Sequence, residues 1–245
     1  FCLPCCHCYF VVLEHISRFF KQGLITGCSS GLGKGIAKTV LGRGDRAAVT
    51  ARDPSALESL VQAYPGQAIP LLLDLDDMDS MERAVQKTVQ RFGPIDVLVN
   101  NAGHGYRAAI EESDPAAVAE LFQANFFGPM ELIRLVLPQM RRQRSGLIIN
   151  VTSIGAVRGA LGNGYYSAAK GALELASESL AKEVAHLGVR VMLAEPGALR
   201  TGFYGTRLAG SSHTIPDYDV LAERYRKNER TDSQDQPGDP DRAGA

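Results

Sequence analysis

The sequence predicts an α/β protein built on one doubly wound parallel sheet with helices on both faces. Three observations carry that expectation. Short apolar runs alternate with amphipathic stretches from residue 23 onward. The runs are near-continuous in apolar character, as strands covered on both faces are, rather than alternating as half-exposed strands are. A glycine-rich turn, Thr26-Gly27-Cys28-Ser29-Ser30-Gly31-Leu32-Gly33, follows the first run and precedes a helical pattern. Strand–helix alternation of this kind builds right-handed βαβ units and a doubly wound sheet.

The elements follow in order. Residues 23–26 end a first strand, which Lys21, Gln22 and Gly23 keep short. Residues 33–43 repeat apolar side chains at helical spacing, with Ile36, Ala37, Val40 and Leu41 on one face. Residues 47–50 form a second strand. A helix over 54–63 is opened by Asp53 as N-cap and by Pro54 at the first helical position. A third strand covers 68–73. The helix over 77–92 turns Met81, Ala84, Val85, Thr88 and Val89 inward and ends at Gly93-Pro94. A fourth strand covers 95–99. A long helix over 115–140 is expected to be interrupted near Gly128-Pro129, because proline removes a helical donor. A fifth strand at 147–151, a long helix at 163–187 and a sixth strand at 189–194 complete the pattern.

Bulk composition narrows the function. With 45% hydrophobic and 22% charged residues, the 245-residue chain can bury a core of useful size. One domain is expected over 21–227. The cysteine-rich extension 1–20 is set aside, and the polar tail 228–245 is expected to be disordered. A net charge of -1 and the absence of a dense basic patch exclude nucleic acid as a partner. Arg141, Arg142 and Arg144 read as charges that offset a helix C-terminus. No run approaches the ~20 apolar residues of a membrane span, and no basic segment precedes the short run at 9–13. A cytoplasmic protein without a membrane partner is expected. Cys2, Cys5, Cys6 and Cys8 crowd beside His7 with no second ligand pair downstream, so no metal site is expected.

The glycine-rich turn has the spacing T-G-x-x-x-G-x-G. Glycines let a backbone approach a pyrophosphate, and a helix N-terminus supplies N–H groups and positive dipole. A Walker loop fails on Cys28 and Gly35, and G-x-G-x-x-G fails on Ile36. Further motifs stand in register. Asp74 follows the third strand and Asn100-Asn101-Ala102-Gly103 the fourth. Asn125 lies in the long helix before the fifth. Ser153 precedes Tyr166-Ser167-Ala168-Ala169-Lys170 by thirteen residues, and Pro196-Gly197 follows the sixth strand with Thr201 downstream.

Over residues 24–201 this ordered set resembles the short-chain dehydrogenase/reductase family, in the branch of hydroxysteroid and retinol dehydrogenase-like enzymes. The resemblance implies a Rossmann-like fold and hydride transfer between a nicotinamide cofactor and a carbonyl or alcohol. It implies Asn125, Ser153, Tyr166 and Lys170 as catalytic residues, with Lys170 also on the nicotinamide ribose and Asn125 holding a relay water. Asn100 would brace the central strands. The backbone of Ala102 and Gly103 would lie against adenosine, and Asp74 and Leu75 would meet the adenine. Thr26, Gly27, Ser29, Ser30, Gly31, Leu32, Gly33, Asn101, Pro196, Gly197 and Thr201 complete the implied cofactor site. The family's pattern continues past Gly238-Asp239-Pro240 into a further helix and strand, so the sheet is expected to lack its last helix and strand. The resemblance also implies a homodimer or homotetramer, through the helices carrying Asn125 and Tyr166.

The chemistry is consistent with these roles. Tyrosine ordinarily titrates near 10, so little phenolate exists at neutral pH. Tyr166 and Lys170 stand at i and i+4, on one face of a helix, where the cation favours the phenolate. A downward shift of about three units is worth about 4 kcal/mol and makes Tyr166 a usable general acid or base. Ser153 would hydrogen-bond the substrate oxygen as charge develops.

Cofactor choice has a local clue. Where an acid would accept from both ribose hydroxyls, the second strand ends in Ala51, and Arg52 follows. Arginine is a bidentate phosphate partner, so NADP(H) is expected over NAD(H). Loops at 104–110, 154–161 and 202–221 carry Tyr106, Leu161, Phe203, Tyr204 and Leu208, which suits a lipophilic small-molecule alcohol or ketone. Two other readings stand beside this one. The first is a cofactor-binding protein without turnover. The second is an extended epimerase or dehydratase, which would need T-G-x-x-G-x-x-G.

Overall fold

A computed structural model describes residues 21–204, 207–226 and 236–244. The expectation for the extension 1–20 lies outside the described residues, as do those for 228–235 and for residue 245. In chain order the elements begin with β1 (Gln22–Ile25), α1 (Gly31–Gly42) and β2 (Arg46–Ala51). A 3-10 turn (Pro54–Leu57) leads into α2 (Glu58–Ala63), followed by β3 (Ala68–Leu72), α3 (Met78–Phe92) and β4 (Val97–Asn100). Next come β5 (Gly105–Arg107), α4 (Pro115–Phe122), a π turn (Gln123–Phe127), α5 (Gly128–Gln143) and β6 (Gly146–Val151). Then α6 (Ile154–Val157), α7 (Gly164–Val184), β7 (Val189–Ala194), β8 (Leu208–Gly210), α8 (Asp219–Arg226) and α9 (Pro240–Ala243).

Six parallel strands form one sheet in the order β3-β2-β1-β4-β6-β7. Strand order reverses between β1 and β4, so their carboxyl ends flank the crevice in which doubly wound sheets bind ligands. Neighbouring strand residues go to opposite faces. Ile25, Val99 and Ile149 enter one buried cluster with Val40, Leu41 and Leu57. Leu24, Leu98 and Ile148 enter the other with Met81, Leu132 and Met140. Both faces are covered, which is why the strands read as continuous apolar runs.

Several boundaries differ from expectation. The first helix starts at Gly31, so the loop before it is shorter by two residues. The helix expected over 54–63 begins as a 3-10 turn, although Asp53 does cap it, accepting from the Ser55 N–H at 3.0 Å. The interruption expected near Gly128-Pro129 falls just before that pair, in the π turn Gln123–Phe127. The chain stays helical through the pair itself, and the Gly128 N–H reaches the Gln123 carbonyl. Pro129 has no N–H to offer Asn125, and a π turn absorbs the missing bond. The parallel pair β5 and β8 was not foreseen.

Of the tail expected to be disordered from 228, the described residues 236–244 pack on the domain. Gly238 bridges Leu199. Asp239 caps α9 by accepting from the Asp241 N–H at 2.9 Å. Gly35 has no Cβ to hold off the tail, and a Cβ there would stand 2.5 Å from the Pro240 carbonyl oxygen. The contact is backbone on backbone, so it needs none of the apolar side chains whose absence suggested disorder. Among the described residues no helix is long and apolar enough to cross a membrane.

Candidate active site

The glycine loop is held from behind. Thr26 is 1% exposed, and its hydroxyl donates to the Val99 carbonyl and accepts from the N–H groups of Asn101 and Ala102, both at 2.9 Å. Asn101 returns its side chain to the Thr26 carbonyl at 2.9 Å. Gly27 sits at φ +73, and a Cβ there would meet the Ala102 Cα. A Cβ on Gly33 would run into the Gly27 carbonyl and the Asn101 amide. Backbone is thereby left bare on the cleft side. Ser30 precedes α1 in extended conformation and makes no side-chain capping bond, so the first-turn N–H groups remain for an anion. Cys28 lies beneath the loop, and burial pushes its thiol up to about 12, leaving it inert.

Across the cleft stand the other motif residues. Ser153 caps α6, accepting from the Gly155 N–H at 3.1 Å. A Cβ on Gly155 would lie 3.4 Å from both the Ser153 Oγ and the Tyr166 ring, which sets those side chains beside each other. The Tyr166 ring packs against Phe203 at 5.6 Å between centroids. One turn further along α7, Lys170 is 5% exposed and donates to the Val151 carbonyl at 2.8 Å. Burial lowers its pKa to about 8. The π turn aims Asn125 inward. Its Nδ2 donates to the carbonyls of His104 (2.9 Å) and Leu121 (3.1 Å), while its buried Oδ1 has no hydrogen-bond partner among the described residues. That oxygen and the Lys170 Nζ both border Gly103.

One cavity of about 240 Å³ brings most of the predicted residues together: Ser30, Gly31, Leu32, Gly33, Asn101, Gly103, Asn125, Ser153, Tyr166, Lys170, Pro196, Gly197 and Thr201. Others stand behind or beside it. Thr26, Gly27 and Ala102 form the back wall. Asn100 braces the strands, donating to Asn150 at 2.8 Å. Asp74 lies two residues past β3, its N–H held by the Ser80 hydroxyl at 2.8 Å. Leu75 is not on the cavity: its side chain joins the core, packed against Gly128, and Gln123 takes its carbonyl at 2.7 Å. Arg52 is exposed at the end of β2. Sequence reasoning missed Leu199 on the lining, and it reached Arg207 only as one residue of the loop at 202–221.

A nucleotide-sized cleft at the switch point of a doubly wound sheet, with bare backbone on one wall and a Tyr–Lys pair on the other, defines a dinucleotide-dependent oxidoreductase. A family model described as short chain dehydrogenase matches residues 21–210, and the chain belongs to the short-chain dehydrogenase/reductase family, which binds NAD(P)(H) and acts on CH–OH groups. It is 40% identical to a 3-ketodihydrosphingosine reductase of Bacteroides thetaiotaomicron over 184 residues, 75% of this chain and 66% of that protein. It is 37% identical to human retinol dehydrogenase 8 over 191 residues, 76% of this chain and 61% of that protein. The crystal structure of a short-chain dehydrogenase from Streptomyces avermitilis superposes with a TM-score of 0.84 at 40% identity, covering 92% of this chain and 82% of that one.

Proposed function

We propose that this chain is an NADP(H)-dependent oxidoreductase of lipophilic carbonyls and secondary alcohols, working through Tyr166, Ser153, Lys170 and Asn125. The observation that carries this reading is the meeting of those four side chains and the glycine loop on one cavity. A bound nicotinamide would supply or accept the hydride. Ser30, Gly31 and Gly33 would hold its diphosphate, and Thr201, Pro196 and Gly197 would line the opposite side. Ser153 hydrogen-bonds the substrate oxygen, and Tyr166 gives or takes its proton. Lys170 stabilises the phenolate from one turn away. Asn125 Oδ1 holds a water that returns the proton through Lys170.

The cofactor preference rests on Ala51 and Arg52, which leave a cation and no acid at the end of β2. The substrate class rests on the apolar surround. Ile154, Leu199 and Phe203 line the cavity itself. A second cavity of about 320 Å³ is walled by Ile110, Leu161, Gly164, Leu221 and Tyr225, and its apolar lining suits a lipophilic group. The relatives named for 3-ketodihydrosphingosine and retinol carry lipophilic substrates in their names. The same reading pairs the chain with itself through the helices carrying Asn125 and Tyr166, where Phe127 and Leu175 are 50% and 69% exposed.

The test is NADPH oxidation against a panel of long-chain ketones, retinoids, steroids and polar sugars, beside NADH and a Tyr166→Phe control. Turnover with lipophilic carbonyls should prefer NADPH and fall at least about a hundredfold in the control. Tight NADPH binding without turnover on any of them would favour a cofactor-binding protein instead.

A further inference from the structure

Two arginines bear on the adenosine end of the cleft, the charge of one acting on the other, and only one of them follows from the strand pattern. Arg52 comes directly after β2. Arg207 arrives from 155 residues further along the chain and donates from Nη2 to the Ser29 hydroxyl at 3.1 Å. Its backbone is fixed on both sides: its N–H reaches the Gly202 carbonyl at 3.1 Å, and its carbonyl accepts from the Gly105 N–H at 2.9 Å. The β5–β8 pairing that starts at the next residue secures this position. Arg207 also lines the cavity.

The place of Ser29 decides which part of a dinucleotide this guanidinium would meet. Diphosphate belongs at the N-terminus of α1, from Ser30 onward. Ser29 lies on the other side of that point. The Cys28 N–H before it bonds the Thr50 carbonyl of β2 at 2.8 Å, and Arg52 is two residues past Thr50. In this fold the end of β2 is where the adenosine ribose 2′-oxygen lies. Burial and the positive charge of Arg52 both act against the Arg207 cation. Among the described residues neither arginine has a carboxylate within ion-pair distance. Asp76, beyond β3, feels the Arg52 charge but makes no such pair. Arg207, partly buried beside the Ser29 hydroxyl and within the field of the exposed Arg52, adds a second positive charge where a dianion would lie.

We propose that Arg207 is a second specificity determinant for the cofactor, closing with Arg52 and Ser29 on the 2′-phosphate of NADP(H). The proposal rests on the NADP(H) reading and adds a contact from the far side of the cleft. Guanidinium groups on two sides can each present a pair of N–H donors to one phosphate.

The experiment measures dissociation constants of NADPH and NADH by nicotinamide fluorescence, and of adenosine 2′,5′-bisphosphate and ADP by calorimetry. The wild type is compared with Arg207→Gln and Arg52→Gln, each checked by thermal melting. Glutamine can keep a bond to Ser29 while losing the charge. The expected result is a wild type that prefers NADPH. Arg207→Gln should weaken NADPH and adenosine 2′,5′-bisphosphate by about tenfold to a hundredfold. NADH and ADP should stay within about threefold. If the wild type prefers NADPH but Arg207→Gln leaves that preference intact, Arg207 is no determinant and the cofactor reading stands without it. If Arg207→Gln weakens NADH and ADP as much as NADPH, the residue contacts the diphosphate and the proposal fails. If the wild type binds NADH and NADPH alike, the cofactor reading and this inference fall together.

Discussion

Lys170 is the residue on which most of the site's constraints converge. Its ammonium is buried, bonded to the Val151 carbonyl, and its pKa is lowered to about 8 from an ordinary 10.5 by loss of solvent. In the unfolded chain the ordinary value returns. Between those two pH values the unfolded state holds more protons than the folded one, so stability gains as pH rises through the window. Below it, the buried cation costs folding a few kcal/mol. Replacing Lys170 with Met should remove this pH dependence. Urea denaturation at pH 7.5 and pH 10 should show the wild type gaining on Lys170→Met as pH rises. A constant difference would mean that Nζ titrates as if in water. The i, i+4 spacing to Tyr166 and the offset to Ser153 were legible in the sequence because they are properties of one helix and one strand end. The aim of Asn125 was not, because it depends on a π turn forced by a proline four residues later. Arg207 was not legible either, since only the three-residue strand β8 brings its guanidinium back to Ser29.

At the scale of elements, the turns into β6 and β7 carry an opposed pair of constraints. α5 ends at Arg144 with φ 54, a left-handed conformation that costs a side-chain-bearing residue about 1 kcal/mol. Gly188, at φ +75, precedes β7 where an added Cβ would run into the Arg144 carbonyl. Arg144→Gly should stabilise the domain by about 0.5–1 kcal/mol. Gly188→Ala should destabilise it by about 2–4 kcal/mol, since it adds both a strained backbone and a clash. Thermal melting of the two variants checks both signs, and a neutral Gly188→Ala would show that the two turns do not touch. The four inner sheet strands were readable because each is buried on both faces. Their ends were less so: Ile95 is fully buried like a strand residue, yet pairing begins only at Val97. β5 and β8 span three residues each, too few for any periodicity to register.

At the scale of the whole molecule, the segment 236–244 joins the two walls of the cleft. On one side it holds the loop after β7. The Arg200 N–H reaches the Gly238 carbonyl at 2.8 Å, the Gly238 N–H reaches the Ala198 carbonyl at 3.1 Å, and the Arg200 guanidinium takes the carbonyls of Gln236 and Pro237. Ala198, Leu199 and Thr201 of that loop line the cavity. On the other side α9 lies on α1, whose N-terminus forms the glycine cradle. The loop and the cradle already touch, since a Cβ on Gly31 would stand 3.1 Å from the Thr201 methyl. The segment therefore sets the spacing between the surfaces that would grip a dinucleotide. A chain ending at residue 235 should lose about 2 kcal/mol, or about 4–8 °C in Tm, and bind NADPH about tenfold more weakly. Asp241→Ala should do far less. Its ion pair with Lys38 at 3.0 Å joins side chains 62% and 43% exposed, and such pairs are worth under about 1 kcal/mol. Calorimetric melting and fluorescence titration of both variants separate the contributions. If the deletion melts and binds like the full chain, the segment is a passenger, and the wall at 198–201 is held by the sheet alone.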